Sequence, residues 1–221
     1  MIARVFVRRT KATPTDPFAF VGEPPLFIPE GISEVHVSVT FTWDLAEGER
    51  LARAWQRIAP VKIGGPAFET RGGPFRPGMY LKEGYVITSR GCPNDCWFCS
   101  VPRREGGLRE LPIQEGWNVL DDNLLACSEN HIRAVFEMLR RQKQEIEFTG
   151  GLEANLLDSW HCELLKTIRL GQMFMAFDEE RDWEPLVSAS FMLRHHGILH
   201  DGGRHRVRCY VLIGYKGDTQ E

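Results

Sequence analysis

The sequence predicts an α/β protein with a small α/β extension over residues 1–79 and a curved, partly closed parallel barrel over residues 80–221. Short apolar segments alternate with amphipathic helical segments along the second part, a pattern typical of parallel β-α units. A length of 221 residues is enough for one substantial domain with a small extension. The fold class expected is therefore α/β, with a partial (β/α) barrel.

The N-terminal part contains one predicted β-α-β unit. Residues 35–41 alternate between apolar and polar side chains, which predicts a half-buried strand. Asp44 is expected to cap a helix whose apolar face carries Leu51, Trp55 and Ile58. A short strand over 61–63 follows, and the Gly- and Pro-rich residues 69–79 predict a linker.

The second part alternates strands, loops and helices. Five strands are predicted, over residues 85–88, 117–120, 146–149, 173–177 and 207–213. The last is apolar on both faces, as expected of a buried parallel strand. Ser128 and Asp158 are predicted N-caps, Pro185 suits the first turn of a later helix, and Gly197 suits its C-terminal cap. The first two helices should bury apolar stripes: Ile132, Val135, Phe136 and Leu139, then Trp160, Leu164, Leu165 and Ile168.

Composition narrows the class of protein. The net charge of −3 does not indicate a bulk polyelectrolyte partner, so a nucleic-acid substrate would need a local patch. There is no apolar run long enough for a membrane span and no secretory h-region near the N-terminus, which predicts a cytoplasmic location. In that compartment clustered cysteines usually indicate metal binding or catalysis.

Three of the six cysteines form one cluster, in the segment RGCPNDCWFCSVP. Cys92, Cys96 and Cys99 can each bind one iron of a 4Fe-4S cluster, which leaves the fourth iron open to another ligand. A zinc-stabilised binding module is the alternative, with Cys127 or His131 as a fourth ligand. Cys127, Cys162 and Cys209 are otherwise expected in the core, where free cysteine is common.

The spacing, with Phe98 directly before the last cysteine, resembles the signature of the radical S-adenosylmethionine superfamily. The resemblance implies a TIM-like barrel whose 4Fe-4S cluster is held by the three cysteines, with S-adenosylmethionine chelating the open iron. It also implies that S-adenosylmethionine is cleaved reductively to a 5′-deoxyadenosyl radical, which acts on a substrate that the sequence does not identify. An electron donor such as a flavodoxin or ferredoxin is implied as a partner.

The resemblance also implies roles for residues that follow the predicted strands. Phe98 would contact the adenine, and Asp121, Asp122 and Asn123 would hold the methionyl amino group, as in cobalamin-associated members. A helix-capping cluster is the alternative reading of those three residues. Ribose or carboxylate contacts are implied for Gly150, Gly151, Glu153 and Asp178.

The chain also departs from the family pattern. The family barrel has six strands and only five are predicted, so the chain is expected to be C-terminally truncated, and a cluster-binding remnant without turnover is a further alternative. The absence of an Asp-x-His-x-x-Gly motif predicts no cobalamin. The loop over 100–110 resembles that of the methylthiotransferases, and its arginines could meet a phosphate-bearing substrate or form a solvated loop. Residues 214–219 resemble the segment after the family's fifth strand.

Overall fold

A computed structural model describes residues 1–71, 73–202 and 204–214. The chain divides into two compact units, the first formed by Met1–Tyr85 with Cys96–Gly106 and the second by Val86–Asp95 with the residues from Gly107 onward. The sequence does not predict that residues 96–106 group with the N-terminal unit. The predicted resemblance over 215–219 lies outside the described residues.

The first unit contains a four-stranded parallel sheet of order β2-β1-β3-β4. Its strands are β1 (Ile2–Phe6), β2 (Ala19–Val21), β3 (Glu34–Ser38) and β4 (Val61–Gly64). Helix α1 (Leu45–Trp55) connects β3 to β4, and the short helix α2 (Val101–Glu105) also belongs to this unit. Alternate residues of β3, Val35 and Val37, are buried, as the sequence pattern predicts.

Two details of the predicted β-α-β unit are wrong. Asp44 precedes α1 but makes no side-chain capping bond, because its carboxylate instead accepts a hydrogen bond from Arg8 Nε at 2.7 Å. Helix α1 ends at Trp55, so Ile58 lies beyond it and is 38% exposed. Strands β1 and β2 are not predicted from the sequence.

The predicted linker docks onto the sheet of the first unit. The buried side chain of Arg4 donates from Nη1 to the carbonyl oxygens of Gly78 and Met79, at 3.0 and 3.2 Å. Tyr80 Oη lies 2.5 Å from His36 Nδ1. These bonds cover the polar residues that β1 and β3 present on the face opposite the apolar cluster of Val5, Val35 and Val37.

The second unit is built on a five-stranded sheet of order β11-β10-β9-β8-β5. The strands of this sheet are β5 (Tyr85–Val86), β8 (Asn118–Val119), β9 (Ile146–Phe148), β10 (Leu170–Phe177) and β11 (Val207–Val211). Between β5 and β8, the strands β6 (Ser89–Arg90) and β7 (Arg109–Glu110) form a separate antiparallel ribbon. Helices α3 (Glu129–Arg140), α4 (Ser159–Lys166) and α5 (Trp183–His195) alternate with the last four strands.

Strand order equals chain order in this sheet, and the pairs β8–β9, β9–β10 and β10–β11 are parallel. Each crossover therefore advances the sheet in the same direction, and the carboxyl ends of successive strands lie side by side. Within the described residues, β5 and β11 are edge strands, so the sheet is not a closed barrel. The prediction of an α/β fold with parallel sheets is confirmed.

Several local predictions in this unit are also confirmed. Ser128 Oγ accepts a hydrogen bond from His131 N at 3.2 Å at the start of α3, and Asp158 caps α4 together with His161. Gly197 has φ +70°, and Ile198 N donates to Leu193 O at 2.9 Å, the pattern of a Schellman cap. The described helices include none long and apolar enough to cross a membrane.

Two predictions about packing are wrong. Helix α4 ends at Lys166, so Ile168 is not part of its apolar face. Strand β11 is the edge of the sheet and is largely exposed, with Tyr210 48% and Val211 57% accessible, rather than buried on both faces. A run of apolar residues does not itself distinguish a central strand from an edge strand.

Candidate functional site

The three clustered cysteines lie on the segment where the chain passes from the second unit to the first. Cys92 belongs to the second unit, whereas Cys96 and Cys99 belong to the first. All three are half-buried, and none of the six cysteines, which all lie in the described ranges, forms a disulfide. Among the described residues, no three His, Cys, Asp or Glu side chains form a group that could hold a metal ion. The assignment of these cysteines as cluster ligands stays a prediction.

Cys96 and Cys99 share one tight turn. Cys99 N donates to Cys96 O at 2.9 Å, and Val101 N donates to Cys99 Sγ at 3.4 Å. A backbone N–H directed at a sulfur stabilises negative charge on it, as a thiolate ligand requires. The aromatic rings between them, Trp97 and Phe98, meet edge to face at 5.4 Å. The role of Phe98 at an adenine stays a prediction.

The second-unit half of the cysteine loop is bound by residues that follow β8 and β9. Gly91 N donates to Asp122 Oδ2 at 2.8 Å, and Asn123 Nδ2 donates to Cys92 Sγ at 3.4 Å. Asn94 Nδ2 donates to Glu153 Oε2 at 3.0 Å. Three predicted site residues from two different strand ends therefore meet the loop that carries Cys92.

Asn123 connects the parts of this site. Its Nδ2 also donates to Glu153 Oε2 at 2.5 Å, so one amide joins the cysteine loop to the ends of two strands. The residue is only 5% exposed, and its Oδ1 is buried without a hydrogen-bond partner. A buried acceptor left unsatisfied costs about 1–3 kcal/mol. A donor from a ligand or from solvent would satisfy this atom.

Asp121 has a different environment from its two neighbours. It is 2% exposed, and its carboxylate accepts hydrogen bonds from Thr88 N at 2.6 Å, Thr88 Oγ1 at 2.5 Å and Ser89 Oγ at 2.8 Å. Burial raises the pKa of Asp121, while the bonds from Thr88 and Ser89 act in the opposite direction. These bonds tie the end of β8 to the chain that leads into the cysteine loop, which is a structural role.

Gly150 sets the distance between the ends of β8 and β9. A Cβ at this position would lie 2.2 Å from Asp121 O and 2.9 Å from Asp121 N, and both are backbone atoms. Gly151, with φ +90°, then turns the chain toward Glu153. The two glycines therefore position Glu153 against Asn123 through backbone geometry, and their predicted contact with a cofactor stays a prediction.

Asp178 follows β10 and makes its contacts within its own loop. Its backbone N–H donates to Asp182 Oδ2 at 2.9 Å, as does that of Glu179. Burial raises the pKa of Asp178, and the negative charges of Asp182 and Glu179 raise it further. Among the described residues, no hydrogen bond joins Asp178 to Asn123 or Glu153.

The remaining cysteines divide into two kinds. Cys127 and Cys162 are buried, as predicted, and burial raises the pKa of each thiol to about 11. Thiols with raised pKa values are poor metal ligands and nucleophiles near neutral pH. Cys209 is exposed on β11, so its predicted place in the core is wrong.

The arginine-rich loop 100–110 is partly engaged in ion pairs within the first unit. Arg103 Nη2 lies 2.9 Å from Glu69 Oε1, and Arg104 Nε lies 3.2 Å from Glu105 Oε1. The Arg103–Glu69 pair is exposed to solvent, whereas the Arg104–Glu105 pair is largely buried, so the loop is not solvated throughout. The role of its arginines at a phosphate stays a prediction.

Three residues that shape the site are not predicted from the sequence, namely Thr88, Ser89 and Asn94. Their proximity to Cys92 in the sequence is the only signal that could have found them. No protein-family model matches this chain, and no curated protein matches it either.

Proposed function

We propose that this protein is a radical S-adenosylmethionine enzyme with a partial (β/α) barrel, in which Cys92, Cys96 and Cys99 bind a 4Fe-4S cluster. The observation that carries the proposal is Asn123, which donates to Cys92 Sγ and to Glu153 while its buried Oδ1 has no partner. A cysteine loop and an unsatisfied polar site therefore adjoin at the carboxyl ends of parallel strands, where ligands of such sheets bind.

Three cysteines within eight residues of sequence support the assignment of the cluster. The three half-buried thiols supply three thiolates, and the open iron would take the amino and carboxylate groups of S-adenosylmethionine. Metal sites commonly assemble as the metal binds, because their ligands must first lose protons and repel one another as anions.

Asn123 and Glu153 would receive the methionyl ammonium. The Oδ1 of Asn123 is an uncommitted acceptor, and the carboxylate of Glu153 supplies the opposite charge. Asp122 would position the loop through its bond to Gly91 N, and Asp121 would hold the strand end. A bound and reduced cluster would supply the one electron needed to cleave the C5′–S bond of S-adenosylmethionine, giving methionine and a 5′-deoxyadenosyl radical.

The proposal is tested by anaerobic reconstitution with iron and sulfide. We expect iron and acid-labile sulfide in the ratio of a cubane cluster, a brown chromophore, and 5′-deoxyadenosine after addition of dithionite and S-adenosylmethionine. Serine variants of Cys92, Cys96 and Cys99 should lose the chromophore, whereas the matched control Cys209→Ser, also an accessible thiol, should retain it.

The competing interpretations give different results in the same experiment. Protein purified without air that contains one zinc and no labile sulfide would establish the zinc-stabilised module instead. A cluster without 5′-deoxyadenosine formation would indicate a cluster-binding remnant. In an active enzyme, Asn123→Ala should keep its iron content but require more S-adenosylmethionine to change the electron paramagnetic resonance spectrum of the reduced cluster.

A further inference from the structure

The strand order of the first unit defines a topological switch point, the place in an open parallel sheet where ligands commonly bind. In the parallel order β2-β1-β3-β4, the chain leaves β1 toward one edge of the sheet and leaves β3 toward the other. The carboxyl ends of β1 and β3 therefore form the topological switch point. Open α/β sheets bind ligands outside the strands at this position, and sheets of order 2-1-3-4-5 hold a flavin nucleotide there.

Aromatic residues occupy this position on the β3 side. The rings of Phe41 and Trp43 stack with centroids 4.7 Å apart and an interplanar angle of 7°. The guanidinium carbon of Arg8, from the end of β1, lies 6.0 Å from the centre of Phe41. Trp43 nevertheless remains 71% exposed, so most of the indole outside its stack with Phe41 faces solvent.

The position of this aromatic pair is not explained by packing in the core. Arg8 is fixed by its bond to the buried carboxylate of Asp44, so the aromatic pair has a supported inner side. The apolar core of the unit is formed by other residues, such as Val37, Val39 and Trp55. Trp43 therefore contributes little to the burial that stabilises the unit, although it is held in a defined orientation.

Positive charge follows β1 on a structured turn. Thr13 is 5% exposed, and its Oγ1 accepts a hydrogen bond from Thr10 N at 2.8 Å, while Thr13 N donates to Thr10 O at 3.2 Å. This turn carries Arg9 and Lys11, which are both exposed. Arg8 is already paired with Asp44, so the positive charges of Arg9 and Lys11 are the ones that would attract an anion.

We propose that the switch point of the first unit binds a nucleotide, either free or as part of a single-stranded nucleic acid. The base stacks on the open part of Trp43, because a rigid indole offers a planar surface to any base. Its phosphate contacts Arg9 and Lys11 through charge-assisted hydrogen bonds. This site does not depend on the proposed cluster, since Arg9, Lys11 and Trp43 are not among the proposed cluster ligands.

The proposal is tested by binding measurements on the full chain without iron reconstitution. Adenosine 5′-monophosphate is titrated by isothermal calorimetry, and a short fluorescein-labelled oligothymidylate is titrated by fluorescence anisotropy. Trp43→Ala should weaken binding roughly 5- to 150-fold, the loss expected for one stacked base, while Trp43→Phe should retain most of the affinity. Paired Arg9→Glu and Lys11→Glu substitutions should weaken binding and reduce its dependence on salt.

The matched control is Trp183→Ala in the second unit, because Trp183 is also well exposed, at 62%. It should leave the affinity unchanged. Binding of the mononucleotide identifies a free nucleotide as the source, and binding of the oligonucleotide alone identifies a nucleic acid. Absence of binding by both probes, or equal affinities of the wild-type and Trp43→Ala proteins, would overturn the proposal.

Discussion

The contact between the ends of β8 and β9 predicts a large effect of Gly150→Ala. The new Cβ would lie 2.2 Å from Asp121 O and 2.9 Å from the backbone carbon of Leu120. Neither atom can rotate away as a side chain would, so one strand end must shift. Overpacking typically lowers the free energy of unfolding by about 1–3 kcal/mol. Because the clash is with backbone atoms, we expect Gly150→Ala to lower it by about 3 kcal/mol.

The assay is urea unfolding followed by far-ultraviolet circular dichroism, with the free energy of unfolding extrapolated to water. The matched control is Gly107→Ala in the same unit, because a Cβ at Gly107 meets no heavy atom within 4 Å. That substitution should change stability by less than about 0.5 kcal/mol, as is usual for a surface position. Equal stabilities of the two variants would refute the claim that backbone contact at Gly150 sets the spacing of the strand ends.

Three further predictions concern stability. Ser128→Ala should lower the free energy of unfolding by about 1 kcal/mol, because it removes the side-chain cap of α3. Ser100→Ala should lower it less, because Ser100 precedes α2 without a side-chain capping bond, and the urea midpoints of the two variants test this difference. Phe136→Ala should cost about 3–5 kcal/mol because Phe136 is 1% exposed, whereas Phe191→Ala, at a 68% exposed position, should change thermal stability little. The raised pKa of Asp121 means that the folded state holds this proton more tightly than the unfolded state, whose pKa is near 3.8. Protonated Asp121 therefore contributes fully to the free energy of unfolding below about pH 3.8. This contribution is lost as the pH rises through the raised pKa of the folded state. Asp121→Asn should remove that dependence in urea titrations at several pH values, and an unchanged pH profile would contradict the assignment.

Much of the second unit follows from local sequence signals. The capping residues Ser128 and Asp158 and the C-terminal Gly197 act on backbone groups within a few residues of themselves, so their roles are readable without the fold. The same is true of the stripe on α3, whose period places Ile132 and Phe136 on one buried face.

The site shows where local reasoning stops. Parallel strands end at one edge of their sheet, and Asn123 and Glu153, which follow β8 and β9, both bond to the loop that carries Cys92. The sequence does not reveal that Asp121 is committed to Thr88, whereas the Oδ1 of Asn123 is uncommitted. Adjacent polar residues look equivalent in a sequence, and only their distant partners distinguish them.

The sequence by itself determined the alternation of strands and helices, the main helix caps, and the spacing of Cys92, Cys96 and Cys99. These features depend on interactions between near neighbours along the chain. Only the tertiary structure decided that Asp44 pairs with Arg8, and that the cysteine segment is divided between two units. Each of these outcomes depends on residues far apart in the sequence, whose proximity is fixed when the sheets assemble and is not encoded in any local pattern.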